Sequence, residues 1–186
     1  TWSKTQMKWN DTNSTVGLTT RYNIIGLLQN ADYVVRNTSA SGTTWQIINS
    51  GADGLLDFTI ALNGNTEIKA NFTTVNTCRN LNEEGMAYRL IANVSSSGTC
   101  FTISANNVIL DGAGYTINYS KTATGYGIRN TGYNFTTIKN ANILELSTSI
   151  DMDGAYAIYF IGASNGTIQN NTITTSGSNG YGAYRQ

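Results

Sequence analysis

Apolar and polar residues alternate along the first 75 or so positions of the chain. Alternation with a period of two predicts half-buried β-strands rather than helices. Clusters of Asn, Ser and Gly at 39–42 and 63–65 predict turns between them. About six such strands predict a small antiparallel sandwich of immunoglobulin-like size over residues 1–76. The clearest predicted strands cover residues 22–28, 33–35, 43–48, 58–62 and 68–72.

The strand pattern breaks between residues 77 and 90, where Arg79, Glu83, Glu84 and Met86 interrupt it. We predict a turn of helix in this stretch. It is also the predicted boundary between the sandwich and a second domain over residues 77–186.

Short apolar runs recur with a long period after Cys100. A spacing of about 25 to 30 residues between similar β runs is typical of a solenoid, in which equivalent side chains stack into a continuous interior. We expect Tyr126, Tyr156 and Tyr181 to form a column, and the amides of Asn140 and Asn170 to stack. One set of repeats comprises 109–117, 137–143 and 167–173, and a second comprises 125–128, 155–158 and 180–183.

The run from Cys100 to Gly112, continued by the segment 114–117, resembles the first coil of NosD-type and pectate-lyase-like parallel β-helices. The resemblance covers about residues 78–186 and implies a right-handed parallel β-helix of the kind frequent in archaeal surface proteins. Family members usually carry many coils, whereas this chain offers about three before Gln186. Either the chain is a fragment, or a neighbouring subunit covers the open edge. The predicted fold class is therefore all-β, an antiparallel sandwich followed by the first coils of a β-helix.

The charge balance argues against an electrostatic partner, because eleven basic and eleven acidic residues give a formal net charge of zero. We therefore do not expect a nucleic-acid or anionic-membrane binder. A chain with so few charged residues needs another source of solubility, unless its function is to associate with other chains. Nine N-x-S/T triplets offer N-glycans as that source, although composition alone would give about five. They begin at Asn10, Asn13, Asn37, Asn71, Asn93, Asn118, Asn134, Asn165 and Asn170.

The two cysteines, Cys78 and Cys100, predict a disulfide if the chain is exported, and otherwise two buried thiols. No apolar run is long enough to cross a bilayer. Residues 1–10 lack a signal-peptide pattern, which indicates a processed or partial chain. These features together predict an extracellular location.

The sequence gives little support for enzymatic catalysis, because the chain has no His and therefore no Ser-His-Asp or Cys-His arrangement. Enzymes on this fold need clustered carboxylates. The candidates are Asp111 and Glu145, with Lys139 and Arg129 as possible cations. Asp111 fits a turn role better than a catalytic one.

Two further acidic residues, Asp151 and Asp153, alternate in the longest insertion between coils. They suggest at most a weak calcium site, and a solvated loop is the favoured alternative because calcium takes six or more oxygens. We accordingly predict no catalytic residues and no resident cofactor.

Two surfaces remain as candidates for binding. The N-terminal segment with Trp2, Met7 and Trp9 is either the first strand of the sandwich, which we favour, or a strand donated to a neighbouring chain. In the donor case, removing residues 1–10 would abolish assembly and leave the fold intact. Aromatic side chains that could instead stack on sugars are Tyr115, Tyr119, Tyr133 and Tyr159.

The sequence therefore supports two hypotheses. The first is a structural glycoprotein that self-assembles into a cell-surface filament, sheath or layer, with itself as the partner. The alternative is the front part of a carbohydrate-binding or carbohydrate-active β-helix adhesin, with a surface polysaccharide as the partner.

Overall fold

The computed structural model describes residues 2–147, 154–176 and 180–186, without the side chains of residues 13–16. All regular structure in these ranges is β, as predicted, and no helix in them could span a lipid bilayer. The chain divides into two compact units. The first comprises Thr1–Thr73 with Gly85–Ala87, and the second comprises Thr74–Glu84 with Tyr88–Gln186.

The first unit is built on an antiparallel sheet in the order β1–β4–β2–β3. The expected strands at 33–35 and 43–48 lie within β2 and β3, which form a hairpin. The predicted strands at 58–62 and 68–72 belong to one long strand, because the chain continues as β4 through the expected turn at 63–65, with Gly64 at a φ of 76°. The strands are β1 (Gln6–Ile24), β2 (Asp32–Ser39), β3 (Gly42–Asn49) and β4 (Leu56–Val75).

The long β1–β4 ribbon folds over itself to make two layers. Trp9 pairs with Ile68 and Tyr22 pairs with Phe58, ten positions away along β4, which is about 33 Å in a straight strand. The Trp9 ring nevertheless lies 5.4 Å from the Tyr22 ring and 6.2 Å from the Phe58 ring. The ribbon therefore bends where its register shifts, between Asn13 and Leu18. The two layers arise from four strands rather than the six we expected.

A charged network crosses the sheet of this first unit. Glu67 accepts from Lys8 at 2.6 Å and from Arg36 at 2.5 Å, across the neighbouring strands β1 and β2. The hydrogen bond from Lys8 lowers the pKa of Glu67 most, and Arg36 lowers it further. Glu67 is thus held ionised by both of its neighbours.

The second unit is a parallel β-solenoid of about four coils. Three parallel sheets form its sides, in the orders β6–β9–β12–β15, β7–β10–β13–β16 and β5–β8–β11–β14–β17. Their strands are β5 (Arg79–Leu81), β6 (Ala87–Leu90), β7 (Val94–Ser95), β8 (Phe101–Ile103), β9 (Ile109–Asp111), β10 (Thr116–Tyr119), β11 (Tyr126–Thr131), β12 (Thr137–Lys139), β13 (Asn142–Glu145), β14 (Tyr156–Ile161), β15 (Thr167–Gln169), β16 (Thr172–Thr174) and β17 (Tyr181–Arg185).

The solenoid begins at β5, inside the predicted second domain, one coil before the repeats that the sequence shows after Cys100. The helical turn predicted within 77–90 is wrong, because β5 and β6 occupy this stretch and bury Leu81 and Tyr88. They form one more coil than we expected. The predicted disulfide between Cys78 and Cys100 is confirmed, and it joins the starts of the adjacent strands β5 and β8.

Isoleucines stack in the interior as the repeats predict. Ile138 pairs with Leu110 on one side and with Ile168 on the other, while Ile143 lies between Ile117 and Ile173. Ile138 is fully buried, whereas Ile168 in β15 is 43% exposed because no described strand packs beyond it.

Asn140 and Asn170, whose amides we expected to stack, lie at equivalent corners of adjacent coils. Both residues occupy left-handed corners, with φ of 54° and 53°, which Asn tolerates better than most residues. The Asn140 amide donates back to Asp111 at 3.0 Å. Asn171 also bridges two coils, accepting from the Ala141 N–H at 2.9 Å and donating to the Ile138 carbonyl at 2.9 Å.

Candidate interaction surface

A cluster of tyrosines lies on the outer face of the sheet that contains β11, β14 and β17. Parallel register places Tyr126, Tyr156 and Tyr181 in one row across these strands. A second row on the same outer face, three positions further along each strand, contains Arg129, Tyr159 and Tyr184. We call the five tyrosines the tyrosine ladder.

The rings of the first row stack, as the sequence predicted. The Tyr126 and Tyr156 centroids are 6.0 Å apart with an interplanar angle of 22°, and those of Tyr156 and Tyr181 are 4.8 Å apart at 16°. In the second row, Tyr159 and Tyr184 stack at 5.5 Å and 14°. Cross-contacts join the rows, the shortest at 4.7 Å between Tyr126 and Tyr159.

A local irregularity explains why residues three apart share the outer face. In a regular strand, residues three apart point to opposite faces. In β14 both Ala157 and Ile158 are buried, so Tyr156 and Tyr159 flank them on the outside. The signal was present in the sequence, since Tyr-Ala-Ile-Tyr at 156–159 recurs as Tyr-Gly-Ala-Tyr at 181–184. We nevertheless missed Tyr184 as part of the surface.

The ladder carries positive rather than negative charge. The Arg129 guanidinium lies 5.7 Å from the Tyr126 ring centroid, within the range of a cation–π contact. The strands β11, β14 and β17 contain no Asp or Glu. Burial raises the pKa of Tyr156, and the phenols of Tyr181 and Tyr159 raise it further. The Tyr156 hydroxyl, at the centre of these contacts, therefore stays protonated at neutral pH.

Stacking decides which parts of the rings remain available. Neighbouring rings cover each other's faces along the direction in which the coils stack, which leaves mainly ring edges for a partner. The last rings of the two rows are more open, since Tyr181 is 50% and Tyr184 is 38% exposed. The ladder thus offers an aromatic strip that ends in two partly uncovered rings.

The other tyrosines proposed for sugar stacking do not join this surface. Tyr115 is exposed, but no ring contact joins it to the ladder among the described residues, and Tyr133 is half-buried. Tyr119 was expected to be exposed and is wholly buried, because it points into the solenoid beside Glu145. Burial raises the pKa of Tyr119, and the charge of Glu145 raises it further.

The acidic residues considered for catalysis, Asp111 and Glu145, make contacts that stabilise the fold. Asp111 accepts from the Ala113 N–H at 2.9 Å, an Asx turn, and lies 3.9 Å from the Lys139 ammonium. Glu145 is buried and accepts from the Ser176 N–H at 3.2 Å. The described residues bring no three His, Cys, Asp or Glu side chains together as a metal site, and Asp151 and Asp153 lie outside them.

The nine glycan acceptor triplets differ in access. Asn71 does not fit as an acceptor in this fold, because it is only 2% exposed and its Nδ2, the atom that would carry a glycan, donates to the Gly85 carbonyl. The side chain of Asn13 lies outside the described ones. Partly exposed positions are Asn37, Asn118 and Asn134, and the exposed ones are Asn10, Asn93, Asn165 and Asn170.

The N-terminal segment is part of its own sheet, as we favoured. Met7 is wholly buried, and Trp9 packs on Tyr22 and Trp2. The Phe72 N–H donates to the Thr5 carbonyl at 2.8 Å. Because these contacts belong to the first unit, we now expect that removing residues 1–10 would damage its fold as well as any assembly.

No family model, curated protein or solved structure matches this chain. The parallel β-solenoid itself is plain from the strand pairing, whereas the resemblance to NosD-type repeats rests on the sequence motifs alone. Function must therefore be argued from the surface rather than from relatives.

Proposed function

We propose that this chain is a structural, extracellular glycoprotein that self-associates on a cell surface, with the tyrosine ladder as a contact between copies. Its location, its glycans and its place among archaeal NosD-type surface proteins are parts of the same proposal. The tyrosine ladder is the observation that carries it.

The ladder has the composition of a protein contact. Tyrosine is enriched at interfaces because its ring adds apolar area while its hydroxyl still finds a hydrogen-bond partner. Strands β11, β14 and β17 contain neither carboxylates nor acceptor triplets. A second copy could approach this face without meeting a glycan anchored in it.

Two further observations support a structural role. The exposed acceptors Asn93, Asn165 and Asn170 lie in the solenoid but outside the ladder strands, where glycans would supply the hydrophilicity that so few charges do not. Asp111 and Glu145, the acidic residues considered for catalysis, take part in folding contacts instead.

Sedimentation of paired variants tests the ladder contact. Replacing Tyr181 and Tyr184 together with Ser removes the two most exposed rings of the ladder, and we expect this double variant to remain monomeric where the wild type associates. The matched control is Tyr115→Ser, an exposed tyrosine off the ladder, which should associate like the wild type. Equal association of all three proteins would refute the ladder as the contact.

A cavity in the first unit favours the carbohydrate-binding alternative. It has a volume of about 420 Å³, in the range of small-ligand sites, and none of its lining residues is charged. Asn37 and Thr44, opposed on β2 and β3, line it together with Gln46, Asn63 and the buried Ile60. A lining that combines amides and hydroxyls with an apolar side chain suits a neutral sugar.

Titration with neutral oligosaccharides, followed by NMR or calorimetry, tests this alternative. Binding by the wild type that is lost in Asn63→Ala would support an adhesin. Absence of binding across a broad neutral panel would count against it and leave the structural proposal in place.

A further inference from the structure

The tyrosine ladder brings oxidisable rings into contact on adjacent coils. Tyr156 touches four other ladder rings, and its closest stacked partner is Tyr181, with centroids 4.8 Å apart and an interplanar angle of 16°. Tyr181 is 50% exposed, so an oxidant in solution can reach it. The two residues are directly paired in parallel register between β14 and β17.

We propose that the tyrosine ladder is a site of oxidative cross-linking, in which Tyr156 and Tyr181 become joined through a carbon–carbon bond between their rings. The oxidant is hydrogen peroxide acting through a peroxidase. The product is a dityrosine that links two consecutive coils of the same chain.

The reaction balances without further reactants. Each tyrosine gives one electron to the oxidant and its phenolic proton to the solvent, which leaves a phenoxyl radical whose unpaired electron is shared with the ring carbons beside the oxygen. Two such carbons combine, and the hydrogen on each then leaves as a proton while each oxygen takes a proton back, which re-forms the two phenols. Overall two tyrosines lose two hydrogens and one hydrogen peroxide becomes two waters.

Because Tyr156 and Tyr181 are held in contact, their coupling within one chain is favoured over coupling between tyrosines of two chains. Two groups held in contact react as if at a very high local concentration, provided that they can adopt the reacting geometry. Adjacent parallel strands hold their backbones about 4.8 Å apart, close enough for the rings to bond after a small rotation. Tyr115 is comparably open to solvent but has no ring partner among the described residues, which makes it an internal comparison.

This inference goes beyond the proposed function and does not rest on it. The reaction requires one folded chain, an oxidant and the ladder, whatever the cellular location. A chain that never associates would still cross-link, and a chain that associates without cross-linking would leave the proposed function intact.

The test treats the full chain with a peroxidase and limiting hydrogen peroxide, at a dilution where sedimentation shows single chains. We expect blue dityrosine fluorescence, a mass lower by two hydrogens, a monomer band on a denaturing gel, and a linked peptide pair containing Tyr156 and Tyr181. The variants Tyr181→Phe and Tyr156→Phe keep a ring in the stack but cannot form the phenoxyl radical, so each should lose most of the fluorescence. Tyr115→Phe should keep all of it.

Folding is checked in each variant by circular dichroism and thermal unfolding, which the Phe substitutions should leave unchanged. Wild-type fluorescence persisting in both folded Phe variants would overturn the proposal. Links that map to Tyr115 or Tyr133, or that join only separate chains, would overturn it equally.

Discussion

Gly127 lies at a tightly packed point behind the tyrosine ladder, and adding one methyl group there should disturb the solenoid. A Cβ at this position would lie 2.4 Å from the Ala157 carbonyl oxygen of the next coil and 2.7 Å from the Ile143 Cγ2. The equivalent residue two coils later is Gly182. Its added Cβ would meet nothing closer than the Ile173 Cγ2 at 3.9 Å.

The expected magnitude follows from two opposing effects. Forcing a methyl group into a packed site typically costs 1–3 kcal/mol, roughly, and here the obstacle is backbone that cannot swing aside. Replacing Gly with Ala also restricts the unfolded chain, which stabilises by about 0.4–1 kcal/mol where the site is open. Gly127→Ala should therefore destabilise by about 1–2 kcal/mol, whereas Gly182→Ala should be neutral or slightly stabilising.

Urea unfolding of the two variants measures this difference. Near-ultraviolet dichroism of the stacked tyrosines follows the solenoid, while fluorescence of Trp2, Trp9 and Trp45 follows the first unit. We expect Gly127→Ala to lower the midpoint of the tyrosine signal and Gly182→Ala to leave it unchanged or raise it. Equal midpoints for the two variants would refute the account of close coil packing at Gly127.

Three further predictions concern stability and modification. Replacing Cys78 and Cys100 with Ala should cost about 3 kcal/mol of solenoid stability in denaturant titrations, because the disulfide restricts the unfolded chain. The pKa of Glu67 is lowered in the folded state. Ionised Glu67 therefore contributes to folding stability at pH values above its pKa in the unfolded chain, and this contribution is lost as the pH falls through its pKa in the folded protein. The wild type should therefore lose more stability on acidification than Glu67→Gln, and parallel pH profiles would contradict this. Glycopeptide mapping of native material should find Asn71 unmodified and Asn165 modified, and a glycan on Asn71 would contradict its burial.

The repeat register of the solenoid could be predicted from the sequence because stacked coils place equivalent residues directly on one another. Tyr126, Tyr156 and Tyr181 therefore stack as their spacing indicated. Repetition is visible in a single chain without knowledge of tertiary contacts. The first coil was missed because the turn at Glu83 to Gly85 separates β5 from β6 and hides their relation to later coils.

Whether a side chain points into the solenoid or towards solvent was harder to predict than where the strands lie. Tyr119 was assigned to the surface by its residue type, although the alternation with Ile117 places both on the inner side of β10. Glu145 is buried by the same alternation with Ile143 in β13. For polar and aromatic side chains, the strand pattern was the better guide than the usual preference of the residue type.

Long-range folding of the first unit could not be predicted from local pattern. The Asn-Gly sequence at 63–64 is a strong turn signal, yet it lies within β4 and accompanies the bend of the ribbon. Nothing local shows that Trp9 contacts Tyr22 and Phe58, because this contact depends on how two long strands bend together.

The most direct test of the central proposal combines electron microscopy of the native extracellular material with the intact mass of the chain before and after glycan removal. We predict ordered assemblies built from this chain and a mass that falls when glycans are removed. An unmodified chain that is found only as a monomer would contradict the structural glycoprotein proposal.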